Sequence, residues 1–236
     1  MIFNGRDDYI TDFTADFELE PRSTALIVVD MQYATASRKR GLGRLLGEQG
    51  KDDLIKYRYD RIEGVVVPTV QRLLAFFRKY LLSVVYLTMG SRSPDYSDAL
   101  PHVKMLLQSC NNRLGTPENN ILEEIKPDPR EMVVNKTTIG ALNSTNLDSI
   151  LWARGLRYLL FTGVSTNMCV ESTAREAADR GFHCILIHDG CGASKPEYHE
   201  ATLVTFQRLF GKVRGSEDVM EELRSKLDGT SQGVQG

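Results

Sequence analysis

The stretch RYLLFTGVSTNMCVESTAREAADRG, from Arg157 to Gly181, decides the fold. It begins with an apolar run, Arg157–Val164, that is typical of a buried β-strand. It continues into a helical pattern, Cys169–Gly181, that ends at a glycine. The corner between the two is polar, and its one cysteine lies at the predicted start of the helix. Cys169 therefore has two interpretations: a small buried apolar side chain, or a nucleophile at a helix N-terminus.

Strands and helices alternate along the rest of the chain in the same way. The apolar, β-branched run Thr24–Asp30 is typical of a parallel strand buried on both faces. Short connections between alternating strands and helices predict an α/β fold with three layers, in which a parallel sheet lies between helices. The other predicted strands are Leu81–Met89, Glu131–Lys136, Phe182–Gly190 and Gly211–Gly215, and the other predicted helices are Val65–Tyr80, Ser144–Gly155, Pro196–Phe210 and Ser216–Leu227.

A single domain is predicted for residues 1–227, and the polar tail 228–236 is predicted to be disordered. Two long stretches, Gln32–Asp60 and Gly90–Arg130, have no clear pattern and are predicted to be irregular. Each follows a strand end, and ligands of parallel sheets bind at the carboxyl ends of the strands. These stretches are therefore expected to wall a pocket.

The composition is that of an ordinary globular protein. The 236 residues are 42% hydrophobic and 25% charged, and 29 basic residues nearly balance 31 acidic ones. No nucleic-acid partner is expected, and the short basic segment Ala36–Arg44 is interpreted as a solvated or substrate-side loop. The acidic, mixed N-terminal segment predicts neither a signal peptide nor a membrane partner. Four cysteines without CxxC spacing predict a reduced, cytoplasmic protein.

Three polar residues stand at predicted strand ends. Asp30 closes the first strand, Lys136 closes the third, and Cys169 follows the fourth, so one cleft can hold all three. Each alone has a simpler interpretation, as a turn residue, a solvated side chain and a core residue. Together they favour nucleophilic catalysis. A helix N-terminus and an ammonium group favour a thiolate, and a carboxylate can take the thiol proton and return it to a leaving amine.

Three segments surround these residues: LIVVDMQ (Leu26–Gln32), VVNKTTIGALNSTNLDSIL (Val133–Leu151) and GVSTNMCVESTAREAADRGF (Gly163–Phe182). Together they resemble the isochorismatase-like cysteine hydrolase superfamily, which includes nicotinamidases, N-carbamoylsarcosine amidases, ureidoacrylate amidohydrolases and biuret hydrolases. The resemblance spans nearly the whole chain, from about residue 23 to residue 214.

The resemblance implies a six-stranded parallel sheet flanked by helices. It implies that Asp30 is the general acid and base, Lys136 the positioning cation and Cys169 the nucleophile. It also implies a cis peptide bond at Val164–Ser165. That bond would aim the backbone N–H groups of Ser165 and Cys169 at the developing oxyanion.

The sequence after the second strand helps to distinguish between the enzyme types of this superfamily. Nicotinamidases carry a D-x-H metal motif there, whereas YLTMGSRSPDYSDALPH (Tyr86–His102) contains no such pair. Neither a metal nor another cofactor is therefore expected. Isochorismatases proper hydrolyse a vinyl ether and usually lack the cysteine. Cys169, within NMCVEST (Asn167–Thr173), therefore favours cleavage of a C–N bond in a small amide or ureido (N-carbamoyl) substrate through a thioester. Vinyl-ether hydrolysis and a catalytically silent binding protein remain alternatives.

Polar residues that follow the strand ends are predicted to bind the substrate. The residues with this position are Gln32, Tyr33, Arg38, Thr137, Thr138 and Asn167. Gln32 can equally bind strand-end backbone, Arg38 can simply cover the surface, and Asn167 can be a helix cap. His188, late in the fifth strand, is interpreted as a cleft residue or a packing residue, and His199 is predicted to be exposed on a helix. The resemblance also implies a homo-oligomer, a dimer or a tetramer, with neighbouring subunits contributing to the pocket.

Overall fold

A six-stranded sheet forms the centre of the protein. The strands are β1 (Thr24–Val29), β2 (Ser83–Met89), β3 (Met132–Lys136), β4 (Tyr158–Val164), β5 (His183–Gly192) and β6 (Lys212–Arg214). In the computed structural model, which describes residues 9–10, 13–14 and 16–232, these strands are parallel and lie in the order β3-β2-β1-β4-β5-β6. The predicted α/β fold with a six-stranded parallel sheet is confirmed.

Helices connect the strands. The α-helices of the described residues are α1 (Tyr33–Ala36), α2 (Gly41–Glu48), α3 (Asp52–Arg61), α4 (Val67–Lys79), α5 (Pro101–Ser109), α6 (Leu147–Ala153), α7 (Glu171–Ala178), α8 (Pro196–Gln207) and α9 (Ser216–Gln232). A π-helical turn, Ile62–Val66, joins α3 to α4. Within the described part of the chain, no helix is both long and apolar enough to span a bilayer.

The helices pack on both faces of the sheet, because successive residues of a strand point to opposite faces. All six residues of β1 are buried. Leu26 and Val28 belong to one apolar core, together with residues of α4 and α9. Ala25, Ile27 and Val29 belong to a second core, together with residues of α6, α7 and α8. Both faces of the sheet are therefore filled by side chains, and a ligand can reach it only at the strand ends.

The stretch Gln32–Asp60, predicted to be irregular, is mostly helical and contains α1, α2 and nearly all of α3. In and after α3, Ile55, Tyr59 and Ile62 recur at helical spacing and are all buried, so one face of this charged helix packs into an apolar core. The prediction was wrong because the many charged residues of α3 conceal that spacing. The stretch Gly90–Arg130 contains α5 but otherwise consists mainly of turns and short bridges.

The last helix, α9, extends five residues into the predicted tail 228–236. Before the tail begins, the Lys226 ammonium group donates to the Leu19 carbonyl oxygen and pairs with Glu18, both at 2.9 Å. These contacts hold the end of α9 against the segment that precedes β1. Residues 233–236 of the predicted tail lie outside the described residues.

Gly163 allows two strand ends to approach each other closely. It lies in β4 with a φ of +107°, a backbone conformation that favours glycine, and it pairs with Val29 of β1. A Cβ atom on Gly163 would lie 2.1 Å from the Val29 carbonyl oxygen. The carboxyl ends of β1 and β4 are thus brought together just before Asp30 on one strand and Ser165 on the other.

The substitution Gly163→Ala is expected to destabilise the fold much more than Gly155→Ala. Both glycines have a positive φ, so either substitution strains the backbone by about 1–3 kcal/mol. Only the substitution at position 163 adds a clash, since nothing lies within 4 Å of a Cβ atom on Gly155. Urea unfolding followed by circular dichroism measures both losses, and equal losses would contradict the close approach of β1 and β4.

Candidate active site

Three strand ends bring Asp30, Lys136 and Cys169 to one edge of the sheet. Asp30 follows β1, Lys136 is the last residue of β3, and Cys169 lies in a π-helical turn, Thr166–Val170, after β4. The strands β3, β2, β1 and β4 are consecutive in the sheet, so their carboxyl ends lie side by side. The Lys136 side chain extends past the end of β2 to reach Asp30. The proximity expected from the sequence is present.

Lys136 and Asp30 form a buried ion pair. The Lys136 ammonium lies 2.9 Å from Asp30 Oδ2, and the two side chains are 0% and 2% exposed. The same ammonium donates to the Thr138 carbonyl oxygen at 3.1 Å. Burial by itself lowers the pKa of Lys136, but the charge of Asp30, with a contribution from Cys169, outweighs burial and raises it. Lys136 is therefore a cation at neutral pH.

Cys169 is a thiol at neutral pH. Burial first and the Asp30 carboxylate second raise the pKa of this side chain to about 12, while Lys136 acts in the opposite direction. Lys136 does favour the thiolate, as expected from the sequence, but burial and the Asp30 charge oppose it. Asp30 Oδ1 is buried and has no hydrogen-bond partner among the described residues. This oxygen is available to accept the thiol proton.

The turn that carries Cys169 begins three residues earlier than predicted. Helical geometry starts at Thr166, where the Val170 N–H donates to the Ser165 carbonyl oxygen at 3.3 Å, and α7 follows directly. The peptide bond Val164–Ser165 is cis, as the resemblance implied. Ser165 and Cys169, the two predicted oxyanion donors, line the same cavity.

A cavity of about 330 Å³ lies beside Cys169. Its polar lining residues are Asp30, Thr35, Arg58, Ser165, Cys169 and Ser194. Most of the remaining lining is apolar and includes Leu42, Leu46, Leu54, Ile55, Leu106 and Ile139. The helices α2, α3 and α5 contribute five of these six apolar side chains, so the two long stretches do wall the pocket, as expected.

Arg58 of α3 lines the cavity, and the sequence did not single it out. Its side chain is 7% exposed, Nη1 donates to Ser165 Oγ at 2.7 Å, and Nη2 donates to the Thr35 carbonyl oxygen at 3.0 Å. Burial lowers the pKa of Arg58, yet an arginine keeps its charge at neutral pH. Its spacing from Ile55 and Ile62, three residues after one and four before the other, is the signal that could have placed it on the buried face of a helix.

Gln32 has the structural role that was its alternative interpretation. It is fully buried, and its side-chain amide donates to the carbonyl oxygens of Met89, at 3.2 Å, and Asn119, at 2.8 Å. Its Oε1 accepts the Met89 N–H at 2.8 Å. Gln32 therefore ties the end of β1 to the end of β2 and does not line the cavity.

Tyr33 and Arg38 also lie away from the cavity. The Tyr33 hydroxyl accepts the Glu123 N–H at 3.3 Å. The Arg38 guanidinium pairs with Asp60 at 2.7 Å and Glu63 at 2.9 Å on the surface. The assignment of these two residues to substrate binding has no support in this geometry, because their polar groups already have protein partners.

Thr137, Thr138 and Asn167 lie near the catalytic residues without lining the cavity. The Thr137 N–H donates to Ser144 Oγ at 3.1 Å, and the Thr138 hydroxyl hydrogen-bonds to the same oxygen at 2.8 Å. Since the Thr138 carbonyl oxygen accepts from Lys136, this segment positions the cation. Asn167 lies inside the π-helical turn rather than at a cap, and its buried Oδ1 has no hydrogen-bond partner among the described residues.

His199 is buried, contrary to the prediction that it is exposed, with 6% of its surface accessible. Its Nε2 lies 3.0 Å from an Arg61 nitrogen, and its Nδ1 lies 2.9 Å from Thr166 Oγ1. Arginine can only donate, so Nε2 accepts and Nδ1 donates to Thr166. Burial first, and then Arg61, lower the pKa of His199 to about 3. The exposed His188 does not line the cavity, and its backbone carbonyl oxygen accepts from Arg61.

The similarity of the chain to known proteins agrees with this geometry. Residues 24–218 match the model of the isochorismatase domain. The chain belongs to the isochorismatase family. It is 30% identical over 210 residues to the ureidoacrylate amidohydrolase RutB of Rhizobium rhizogenes, an alignment that covers 83% of this chain and 81% of the relative. The resemblance inferred from the sequence is confirmed.

Solved structures of the isochorismatase fold are similar over most of the chain. A cysteine hydrolase from Pseudomonas syringae pv. phaseolicola has a TM-score of 0.73 and 25% identity, and the match covers 90% of this chain and 97% of that one. N-carbamoylsarcosine amidase from Thermoplasma acidophilum shares the fold, with a TM-score of 0.61 and 24% identity over 83% of this chain and 97% of that one.

In this isochorismatase-family protein, the polar residues after β2 form hydrogen bonds within the protein or lie on the surface. In nicotinamidases the same region carries the metal motif. Asp98 accepts hydrogen bonds from the Ser91 hydroxyl and the Arg92 N–H, and His102 is exposed on α5. Among residues 9–10, 13–14 and 16–232, no group of three or more His, Cys, Asp and Glu side chains could hold a metal ion. That no metal takes part stays a prediction.

Replacing Lys136 by methionine is expected to reduce the free energy of unfolding by about 3–5 kcal/mol at pH 7, because it leaves the Asp30 carboxylate buried without its cation. The double substitution Asp30→Asn with Lys136→Met removes both charges and is expected to recover most of this loss. Urea unfolding of the two variants and the parent protein tests the pair. A loss below about 1 kcal/mol for the single variant would contradict a buried ion pair.

His199 is expected to make stability fall as the pH falls below 6.5. The pKa of His199 is about 3 in the folded state and 6.5 in the unfolded state. Between these two pH values the unfolded chain therefore binds a proton that the folded chain does not. Between pH 7 and pH 5 this difference removes about 2 kcal/mol of stability. The variant His199→Gln cannot titrate, and urea unfolding at both pH values should show a smaller loss for it. Equal losses in variant and parent would exclude the buried neutral imidazole.

Proposed function

We propose that this protein is a cysteine amidohydrolase that cleaves the C–N bond of a small amide or ureido (N-carbamoyl) compound. The observation that carries the proposal is the buried Lys136–Asp30 pair beside the Cys169 thiol on the wall of a cavity. Acyl transfer from nitrogen needs a nucleophile and a base that can also protonate the leaving group. The similarity to the ureidoacrylate amidohydrolase of Rhizobium rhizogenes supports the reaction class.

In the first half-reaction, Asp30 takes the thiol proton as the Cys169 sulfur attacks the carbonyl carbon. Proton transfer has to accompany the attack, because the pKa of the thiol is about 12. The carbonyl oxygen becomes an oxyanion, for which the backbone N–H groups of Ser165 and Cys169 are the proposed donors. Lys136, whose pKa is raised, stays protonated and holds Asp30 in place.

Asp30 then gives this proton to the leaving nitrogen as the C–N bond breaks. Ammonia or an amine departs, and an acyl group remains on Cys169, as a thioester from an amide or a thiocarbamate ester from a ureido compound. In the second half-reaction, water gives a proton to Asp30 and its oxygen adds to the carbonyl carbon. The S–C bond breaks, Asp30 returns the proton to the sulfur, and one water has been consumed for each C–N bond cleaved.

The substitution Cys169→Ala is expected to reduce ammonia release by about 10³-fold or more, because it removes the atom that forms the covalent intermediate. A screen of small amides, ureas and N-carbamoyl amino acids, with ammonia as the measured product, identifies a substrate for this assay. The variant Cys110→Ala is the control, since it also removes a buried thiol but one that does not line the cavity.

Intact-mass analysis of the wild-type protein during turnover should show the acyl group bound to Cys169. Full activity of Cys169→Ala would exclude the covalent mechanism and favour hydrolysis of a vinyl ether, which needs only acid catalysis. Absence of turnover for every compound in the wild-type protein would favour a catalytically silent binding protein. Each of the three candidate functions thus has its own outcome.

The compartment and the assembly complete the proposal. All four cysteines are free thiols, in keeping with a reducing, cytoplasmic location. The homo-oligomer, a dimer or a tetramer, stays a prediction from the resemblance. Size-exclusion chromatography with light scattering of the full chain tests it.

A further inference from the structure

Arg58 is a buried cation without a carboxylate partner. Within residues 9–10, 13–14 and 16–232, no Asp or Glu forms an ion pair with it, although it is only 7% exposed. Two of its five N–H groups donate, to the Ser165 hydroxyl and the Thr35 carbonyl oxygen, while Nε has no hydrogen-bond partner. A buried unpaired charge is costly, so such a group is expected where a ligand supplies the opposite charge.

The charges around the cavity leave a net positive site. Asp30 is already neutralised by Lys136 at 2.9 Å, and Cys169 is an uncharged thiol. Arg58 is then the one charge on the cavity wall that no carboxylate of the described residues balances, and the only ring near its guanidinium carbon there is that of Tyr59, at 5.9 Å. The flat guanidinium group, with several N–H groups in one plane, matches the two oxygens of a carboxylate better than any other cationic side chain.

The larger part of the lining is apolar. The side chains of Leu42, Leu46, Leu54, Ile55 and Ile139 surround the same space. A substrate that is polar throughout would leave this surface without a matching group, whereas burying one aliphatic side chain there is favourable. At about 330 Å³ the cavity is near the lower end of ligand pockets, which excludes a large substrate.

We propose that Arg58 binds a carboxylate of the substrate, and that the substrate is a small amphipathic acid: an amide or ureido compound with one carboxylate and one branched aliphatic or aromatic group. The inference rests on the proposed function and names the substrate class of the same site. Arg58 donates to the hydroxyl of Ser165, the residue proposed to bind the oxyanion. The carboxylate therefore lies within a few bonds of the carbonyl group that Cys169 attacks.

Three matched ureido compounds test the proposal on the Cys169→Ala variant, which keeps the cavity and prevents turnover. N-carbamoyl-leucine has the carboxylate and an isobutyl group, 3-methylbutylurea lacks only the carboxylate, and N-carbamoylglycine lacks only the isobutyl group. Calorimetric titration is expected to show that N-carbamoyl-leucine binds roughly tenfold or more tightly than either of the other two. Equal or weaker binding of the acid compared with the neutral urea would overturn the role of Arg58. Equal binding of the leucine and glycine compounds would overturn the role of the apolar wall.

Further substitutions in the same background locate the two effects. Arg58→Met is expected to abolish the preference for the acid over the neutral urea, and Arg58→Lys to keep part of it, since it retains the charge but not the planar fork. Leu42→Asn is expected to reduce the preference for the isobutyl group. The control is Arg38→Met, which removes a surface arginine that does not line the cavity and should change neither preference.

The outcome separates this inference from the proposed function. Ammonia release by the wild-type protein from neutral apolar amides or ureas, together with no preference for the acid in the titrations, would leave the amidohydrolase in place and overturn the inference. The expected binding pattern without ammonia release from any compound would overturn the hydrolase while the anion site stands. A preference for the acid that persists unchanged in Arg58→Met would show that another group binds the carboxylate. Circular dichroism of each variant establishes that the fold is retained.

Discussion

The ion pair between Lys136 and Asp30 is the interaction on which the rest of the site depends. Neither charge can be buried alone without a penalty of several kcal/mol. The pair forms only because β1 and β3 end at the same edge of the sheet, with β2 between them, and because a lysine side chain is long enough to extend past β2. The order of the strands and the charge pair therefore depend on each other. With the pair in place, the second oxygen of the carboxylate is left free beside the Cys169 sulfur.

Buried polar atoms without partners concentrate around this nucleophile. Asp30 Oδ1, Arg58 Nε and Asn167 Oδ1 all lack a hydrogen-bond partner in the described protein, and the first two residues line one cavity. Folded proteins pair nearly all such atoms, since an unpaired one costs about 1–3 kcal/mol. An active site is the place where this rule is expected to fail, because substrate and transition state provide the missing partners. By contrast, Gln32 has a structural role, and both the nitrogen and the oxygen of its side-chain amide form hydrogen bonds to the backbone.

The sheet and the three residues at its edge could be predicted because their signals are local. A buried parallel strand is an apolar run, its last residue is readable, and short connections determine that the strands are parallel. Arg58 could not be found in this way, since an arginine on a highly charged helix looks the same in sequence whether it faces water or a cavity. For Gln32 the sequence left two roles open, substrate binding and a hydrogen bond to strand-end backbone, and could not decide between them. The chain turns at Asp30, whose φ is +50°, and the turn directs the amide to the neighbouring strand end, which no local pattern reveals.

The helix α3 has a further consequence for how the protein works. Arg58 and Arg61 are one turn apart on α3, and they hold the catalytic turn at two neighbouring points: one contacts Ser165 directly, and the other contacts His199, which binds Thr166. The same helix forms part of the cavity wall. The position of the sulfur and the shape of the space beside it are therefore set by one and the same helix, so that a change in the packing of α3 would be felt at both.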